Sequence, residues 1–442
     1  MIEGLQSFQN VLKIPELKRR IVFTAGMLFA YRLGAHVPTP GIDGAALAQF
    51  FDQVQGTLLG MVDLFSGGNL RRLSIFALGI MPYISASIIL QLLTVVIPAL
   101  ERLAKEGEAG RKKITQYTRY GTIGLSAIQA LGIAYGLESM RSPTGVSIVP
   151  TPGWAFRLLT VITLTAGTAL IMWMGEQISE KGIGNGISLI IFAGIVVRLP
   201  SAVTASYTLI STGELRLFVF GAIVLVMIAV TAAVVLMQEG QRKIPVQYAK
   251  RVVGRRVYGG QSTHIPLRIN TAGVIPVIFA SSLILFPATL TRFAPHPWMQ
   301  AISDAFSPGR FTYTVLYMAL IIFFAYFYTA IVFNPIDLAD NMKKYGGFIP
   351  GVRPGKKTAE YIDRTLTRIT LPGALFLAII SVLPDYMIRW FNVPFYFGGT
   401  SLLIVVGVAL DTVRQMESHL LMRNYEGFLK RPSKSRGALA RG

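Results

Sequence analysis

Long apolar runs, each about as long as a helix needs to cross a hydrocarbon core, alternate with short polar connections along most of this chain. A core of roughly 30 Å takes about 20 helical residues. By that measure the sequence predicts ten spans, at about 21–38, 73–100, 115–137, 154–175, 182–200, 216–238, 269–291, 311–334, 369–388 and 395–414. The first carries Arg32 and ends in HVPTPG, which makes it the least regular of the ten. Ten-residue blocks of strict alternation, the mark of an outer-membrane barrel, are missing, so the spans should be helices that satisfy their own backbone. The predicted fold class is all-α: a polytopic membrane bundle of ten transmembrane helices. It divides into an N-terminal half at 1–200, an external connection at 201–215, a C-terminal half at 216–420 and a cytoplasmic tail at 421–442. An odd number of spans per half forces the halves into opposite orientations, which permits an inverted repeat with a site between them.

Composition agrees. Of 442 residues 52% are hydrophobic and only 14% charged, with a mean hydropathy of +0.53, far from the usage of a soluble domain. The opening MIEGLQSFQNVLKIPELKRR is mixed and polar, so the first apolar run is expected to be both insertion signal and first span. No small-residue cleavage site follows the paired Arg19 and Arg20, which speaks against twin-arginine export. The N-terminus, the even-numbered loops and the C-terminal tail, with Arg119 and Arg414 at the adjoining span ends, hold 32 of the 42 lysines and arginines. Short basic loops stay in the cytoplasm, so both termini are predicted there. The net charge of +20 is then concentrated on one face, and topology alone, anionic lipid and a large acidic partner are three readings of it.

Candidate chemistry is sparse. There is no cysteine, and His36, His264, His296 and His419 form no metal-ligand pattern. GxSxG and Walker A patterns are absent too, so no enzyme, metal or cofactor is predicted. Ion-coupled transporters keep carboxylates or histidines within their spans. Here Asp63 sits in a short apolar stretch, while Glu176, Asp385 and Asp411 lie near span ends. What remains is a pathway without selective ligands, gated by apolar side chains through dewetting. The helical pairs Ile80 with Ile84 and Ile187 with Ile191 are candidates, although isoleucine faces lipid just as readily. Pro82 is expected to bend the helix of the first pair, and GIGNGIS allows close contact or a broken start before the second.

Three stretches are unusual. Leu58 to Phe65 is too short to cross a bilayer and too apolar for an ordinary loop. The loop Gln238 to Asn270 carries seven basic residues against the single Glu239, and its alternating run Ile244 to Val257 predicts a hairpin. The loop Asn334 to Gly373 holds Arg353 between Pro and Gly on a tight turn. Loops this long are either solvated basic segments or binding surfaces.

Four segments in order, GIMPYISASIILQLL, GEQISEKGIGNGISLIIFAGI, INTAGVIPVIFASSLILFP and FIPGVRPG, resemble the SecY family, the central subunits of the bacterial protein-export channel. The resemblance covers nearly the whole chain. It implies two inverted five-helix halves, clamped by SecE and often joined by SecG, that conduct unfolded polypeptide and release signal sequences and membrane segments sideways. It also implies an apolar pore ring of Ile80, Ile84, Ile187, Ile191, Ile278 and Ile404. The short stretch becomes a plug, made of Met61, Val62, Asp63, Leu64, Phe65, Ser66, Gly67, Gly68, Asn69 and Leu70, with the two glycines as hinge and Asp63, Asn69, Arg71 and Arg72 suited to a wet funnel. The resemblance further implies a lateral gate with polar Ser87, Gln91, Thr94 and Asn270 at its seam, where mutual hydrogen bonds would hold it shut. It makes the basic loops a docking face for the SecA ATPase or the ribosome, through Lys250, Arg251, Arg255, Arg256, Arg353, Lys356 and Lys357. No cofactor is implied, and the location is the bacterial plasma membrane.

Overall fold

The computed structural model describes residues 14–53, 63, 66–140, 145–213, 216–248, 251–253, 256–258, 262–290, 310–391 and 399–429. Within them the first half comprises α1 (Pro15–Gly34), α2 (Gly44–Gln53), α3 (Met81–Val96), α4 (Pro98–Lys105), α5 (Glu108–Ser139), α6 (Trp154–Lys181), α7 (Gly186–Val196) and α8 (Leu199–Ser211). The second half follows with α9 (Leu217–Glu239), β1 (Gln241–Tyr248), β2 (Arg251–Val253), β3 (Arg256–Tyr258), β4 (Ser262–Arg268), α10 (Ile275–Leu290), α11 (Phe311–Val332), α12 (Pro335–Lys344), β5 (Gly347–Phe348), α13 (Lys356–Phe391) and α14 (Gly399–Leu429). A helix stands at each of the ten predicted spans. Five helical stretches meet the length and apolarity of a membrane crossing: α6, α7 continued by α8, α9, α11 and the first part of α13; α3 with α4 makes a sixth if counted together. Among the others, α1 is interrupted by Lys18, Arg19, Arg20 and Arg32, and α10 is only 16 residues long.

The second span departs from its predicted limits of 73–100. Residues 66–80 are a run of turns, and the helix begins only at Met81. Gly79 at φ 57° and Leu73 at φ 37° hold left-handed conformations that no helix interior accepts. Pro82 therefore starts the helix instead of bending it, as its fixed φ and missing N–H favour. At the other end α4 turns away from α3 by 100°. Its charged face carries Glu101 paired with Lys105 at 2.7 Å, a contact that lowers the Glu101 pKa and raises that of Lys105. The connection 201–215 is also largely helical, since α8 fills it to Ser211.

The predicted hairpin is present, and the sheet reaches further than the sequence implied. β1 pairs antiparallel with β4, from Gln241 opposite Arg268 to Gln247 opposite Ser262. On its other edge it takes β5 from the second basic loop, with Gln247 opposite Phe348 and Tyr248 opposite Gly347. β2 and β3 form a separate two-stranded ribbon. Ile244, Val246, Leu267, Met342, Ile349 and Ile362 close a small core beneath the sheet, so both basic loops fold as one body.

Two larger cores divide the bundle. One fills its centre, drawing on α1, α3, α6, α7, α10, α11, α13 and α14. The second lies at the end of the bundle away from the sheet, where Leu47 and Phe51 of α2 meet Leu70, Leu73, Ala77, Leu78, Leu137, Ile148 and Phe156. Glu138 and Arg157 clasp there through bonds of 3.1, 3.0 and 2.6 Å, with Gly153 N–H donating to the same carboxylate at 2.9 Å.

Candidate functional site

The central core gathers the isoleucines singled out from sequence. Ile80 precedes α3 as its N-cap, and Ile84 N–H donates to the Ile80 carbonyl at 3.1 Å, which keeps the two on one face. Ile187 and Ile191 are one turn apart on α7, whose start is fixed by the Asn185 side chain accepting from Ile187 N–H at 3.1 Å and Ser188 N–H at 3.4 Å. Gly186 lets that start press against α6: a Cβ there would lie 2.0 Å from the Gly175 carbonyl oxygen. Ile278 on α10 and Ile404 on α14 complete the group. Ile80, Ile84, Ile191, Ile278 and Ile404 are buried, and half-buried Ile187 packs against them. Both halves thus contribute to one apolar cluster, in which no ion pair is found among the described residues.

Directly beside it runs the segment 66–80. Of the residues expected as a plug, Met61, Val62, Leu64 and Phe65 lie outside the described residues. The others are held tightly. Asp63 is 4% exposed and Asn69 1%, so the expectation that they suit a wet funnel is corrected. Burial is possible because each polar group has a partner. Asp63 accepts from Arg71 N–H at 2.8 Å and pairs with the Arg198 guanidinium, which also donates to the Asp63 carbonyl at 3.2 Å. Asn69 donates to the Tyr31 hydroxyl at 3.1 Å, and Tyr31 donates to the Ser66 carbonyl at 3.4 Å. Gly67 and Gly68 hold φ of 74° and 85°, and Gly67 lies so close to Gly194 of α7 that a Cβ on it would sit 2.8 Å from that Cα. Tyr31, Gly194 and Arg198 escaped the sequence reading. The one available signal was Arg198, a charge closing the long apolar run of the fifth span.

The seam polar groups behave differently from expectation. Gln91 donates to Ser87 of its own helix at 3.3 Å, Thr94 to the Gln91 carbonyl at 2.6 Å, and Asn270 to Gly273 of its own turn at 3.0 Å. These bonds are local, because each donor has an acceptor within one helical turn or loop. Between α3 and α10 the contact is instead Ser282 Oγ with Met81 Sδ, at 4.0 Å.

At the sheet end Arg353, Lys356 and Lys357 are exposed. Arg353 lies between Gly351 at φ 83° and Gly355 at φ 98°, and its carbonyl accepts from Thr358 Oγ1 at 2.9 Å, so the turn is fixed while the guanidinium is free to reach outward. Lys357 pairs with Glu360 at 2.8 Å. Arg251 and Arg256 lie on the ribbon β2–β3, and Lys250 and Arg255 lie outside the described residues. Among the described residues no His, Asp or Glu cluster is placed to hold a metal.

A helical membrane bundle with an apolar centre, a buried non-helical segment against it and a basic platform at one end has the build of a gated channel. The chain belongs to the SecY family, whose members are multi-pass proteins of the plasma membrane: the family model described as SecY matches residues 74–413. It is 50% identical over 422 residues to the protein translocase subunit SecY of Aquifex aeolicus, covering 95% of this chain and 98% of that one. It is 53% identical over 422 residues to the protein of the same description in Escherichia coli K12, covering 95% of each. Among solved structures it superposes on a protein-conducting channel with a TM-score of 0.66 at 18% identity, covering 95% of this chain and 98% of that one. It superposes on Sec61 of the canine ribosome–channel complex with a TM-score of 0.62 at 16% identity, with the same coverages.

Proposed function

We propose that this chain is the protein-conducting subunit of a bacterial plasma-membrane translocase, with both termini cytoplasmic. It passes unfolded secretory polypeptide between its two halves and is not itself an enzyme. One observation supports the reading: isoleucines from the start of α3 and from α7, α10 and α14, distant in sequence and drawn from both halves, belong to a single buried apolar cluster. Six such side chains seal by shape and apolarity, so the same ring admits any unfolded sequence and still resists ions when empty. Met61 to Leu70 are the plug behind it. α3 and α10 are the lateral gate through which signal sequences and membrane segments reach lipid, with Ser87, Gln91, Thr94 and Asn270 at that seam.

The basic platform of Arg251, Arg256, Arg353, Lys356 and Lys357, together with Lys250 and Arg255, docks the SecA ATPase or the ribosome, whose acidic surface or phosphates suit it. SecE and SecG are the membrane partners, and anionic lipid meets the remaining basic charge. The test is reconstitution: proteoliposomes holding this chain with SecE should protect a secretory precursor from protease when SecA and ATP are added. Failure to protect, with SecA ATPase activity intact, would overturn the reading.

A further inference from the structure

One face of α7 serves two structures. Ile187 and Ile191 enter the apolar cluster, while Gly194 and Arg198, seven and eleven residues on from Ile187, touch Gly67 and Asp63. The spacing 0, 4, 7, 11 is a straight stripe on a helix. The helical turn persists to the end of it, with Arg198 N–H donating to the Ile195 carbonyl at 3.1 Å. Arg198 lies two residues past the end of α7, where the helical path runs on into α8, and grips Asp63 twice, at the carboxylate and at the main-chain carbonyl. The same carbonyl takes bonds from Gly68 N–H and Ser66 Oγ, both at 2.9 Å, so whatever moves Asp63 moves the turn that follows it. Beyond that turn the chain is anchored elsewhere, by Asn69 on Tyr31 and by Leu70, Leu73, Ala77 and Leu78 in the second core.

We infer that Arg198 is a latch for the plug, and that α7 is the rigid link by which opening of the isoleucine ring releases it. An arriving polypeptide displaces Ile187 and Ile191 and carries the far end of the same helix with them. Arg198 then withdraws from Asp63. A carboxylate 4% exposed that keeps the Arg71 N–H but loses its cation is undercompensated, so the segment leaves toward water, turning at Gly67 and Gly68 while Asn69 to Ile80 hold. Latch and ring act together because they share one helix, and each is a positioning device for the other. The inference rests on reading residues 63–70 as the plug, and it adds which residue fastens them and what unfastens it.

The test uses the whole complex in planar bilayers and reads the ion conductance of the resting channel. Asp63→Ala, Arg198→Ala and the double variant are compared with Gly67→Leu, whose side chain cannot fit against Gly194. Arg198→Lys checks folding and restores the charge, and Arg198→Gln replaces Arg198→Ala if the latter does not accumulate. The latch predicts that each single variant raises resting conductance on the order of tenfold, since loss of Arg198 leaves buried Asp63 without its cation and loss of Asp63 removes the group that Arg198 holds. It also predicts that the double variant leaks no more than the singles and that Arg198→Lys falls well below Arg198→Ala. If Gly67→Leu leaks while the Asp63 and Arg198 variants stay tight, the segment seals by packing and the latch is wrong. If none of them leaks, the plug reading falls and the latch with it. Additive leakage of the two single variants would also overturn the pairing.

Discussion

Tyr248 of β1 stands opposite Gly347 of β5, and its ring occupies the space a side chain at Gly347 would take: a Cβ there would lie 2.9 Å from the ring. Through this pair the two basic loops, about a hundred residues apart in sequence, become one sheet over one core. A partner that grips both loops meets a preformed surface and orders little on binding.

Gly347→Val should therefore separate the loops without touching a basic residue. SecA binding to the membrane-embedded complex is expected to weaken about tenfold, comparable to the effect of Arg353→Glu, with the resting ion conductance unchanged. Binding measured by light scattering or surface resonance checks this, and unchanged affinity would mean that the loops act separately.

Ile191 is buried in the central cluster, on α7, which packs against α6 and α14. Replacing it with alanine opens a cavity, and large-to-small changes at such sites cost roughly 2–5 kcal/mol. Ile191→Ala should raise resting conductance several-fold, whereas Ile191→Leu, close in volume, should stay near the parent. Single-channel recording separates them.

Gln91 donates to Ser87 but leaves its own Oε1 buried without a partner. An unmet buried acceptor costs about 1–3 kcal/mol, and an apolar residue of similar shape removes the penalty. Gln91→Leu is expected to stabilise the closed seam and to slow transport of precursors with weakly apolar signal sequences more than of those with strong ones. Equal slowing of both would place Gln91 away from the gate.

The apolar runs announced the helices because a helix in lipid needs little beyond length and apolarity. The second span shows where that rule ends. Leu73 to Ile80 is as apolar as the helix after it, yet its turns are dictated by contacts with distant elements, such as Thr39 N–H on the Leu73 carbonyl at 2.8 Å and Ile75 N–H on the Val37 carbonyl at 3.0 Å. Alternation in Ile244 to Val257 foretold a hairpin, but a two-residue strand such as β5 has no periodicity to read. Ile80, Ile84, Ile187 and Ile191 are candidates from a spacing that fits lipid-facing residues as well, and the family resemblance is what selects them and adds Ile278 and Ile404. The Asp63–Arg198 pair was out of reach, because 135 residues separate the two charges and nothing local to either one points to the other.

Glu138 and Arg157 join the end of α5 to the start of α6, and the guanidinium lies 3.9 Å over the Tyr135 ring and 5.2 Å from that of Trp154. The forked geometry needs arginine. Glu138→Ala and Arg157→Lys should both lower the melting temperature of the detergent-solubilised complex by several degrees while the resting conductance stays low. A leak in either variant would mean that this clasp also holds the seal.

The central claim is that unfolded polypeptide passes through the isoleucine cluster, and one crosslink tests it most directly. The chain has no cysteine, so a thiol at Ile187→Cys reacts without background. A secretory precursor with one cysteine, stalled during SecA-driven export in reconstituted membranes, should form a disulfide with it only when ATP is present. Phe218→Cys, on the exposed face of α9, should form none. Efficient export with no crosslink at Ile187, or equal crosslinking at Phe218, would show that the path lies elsewhere.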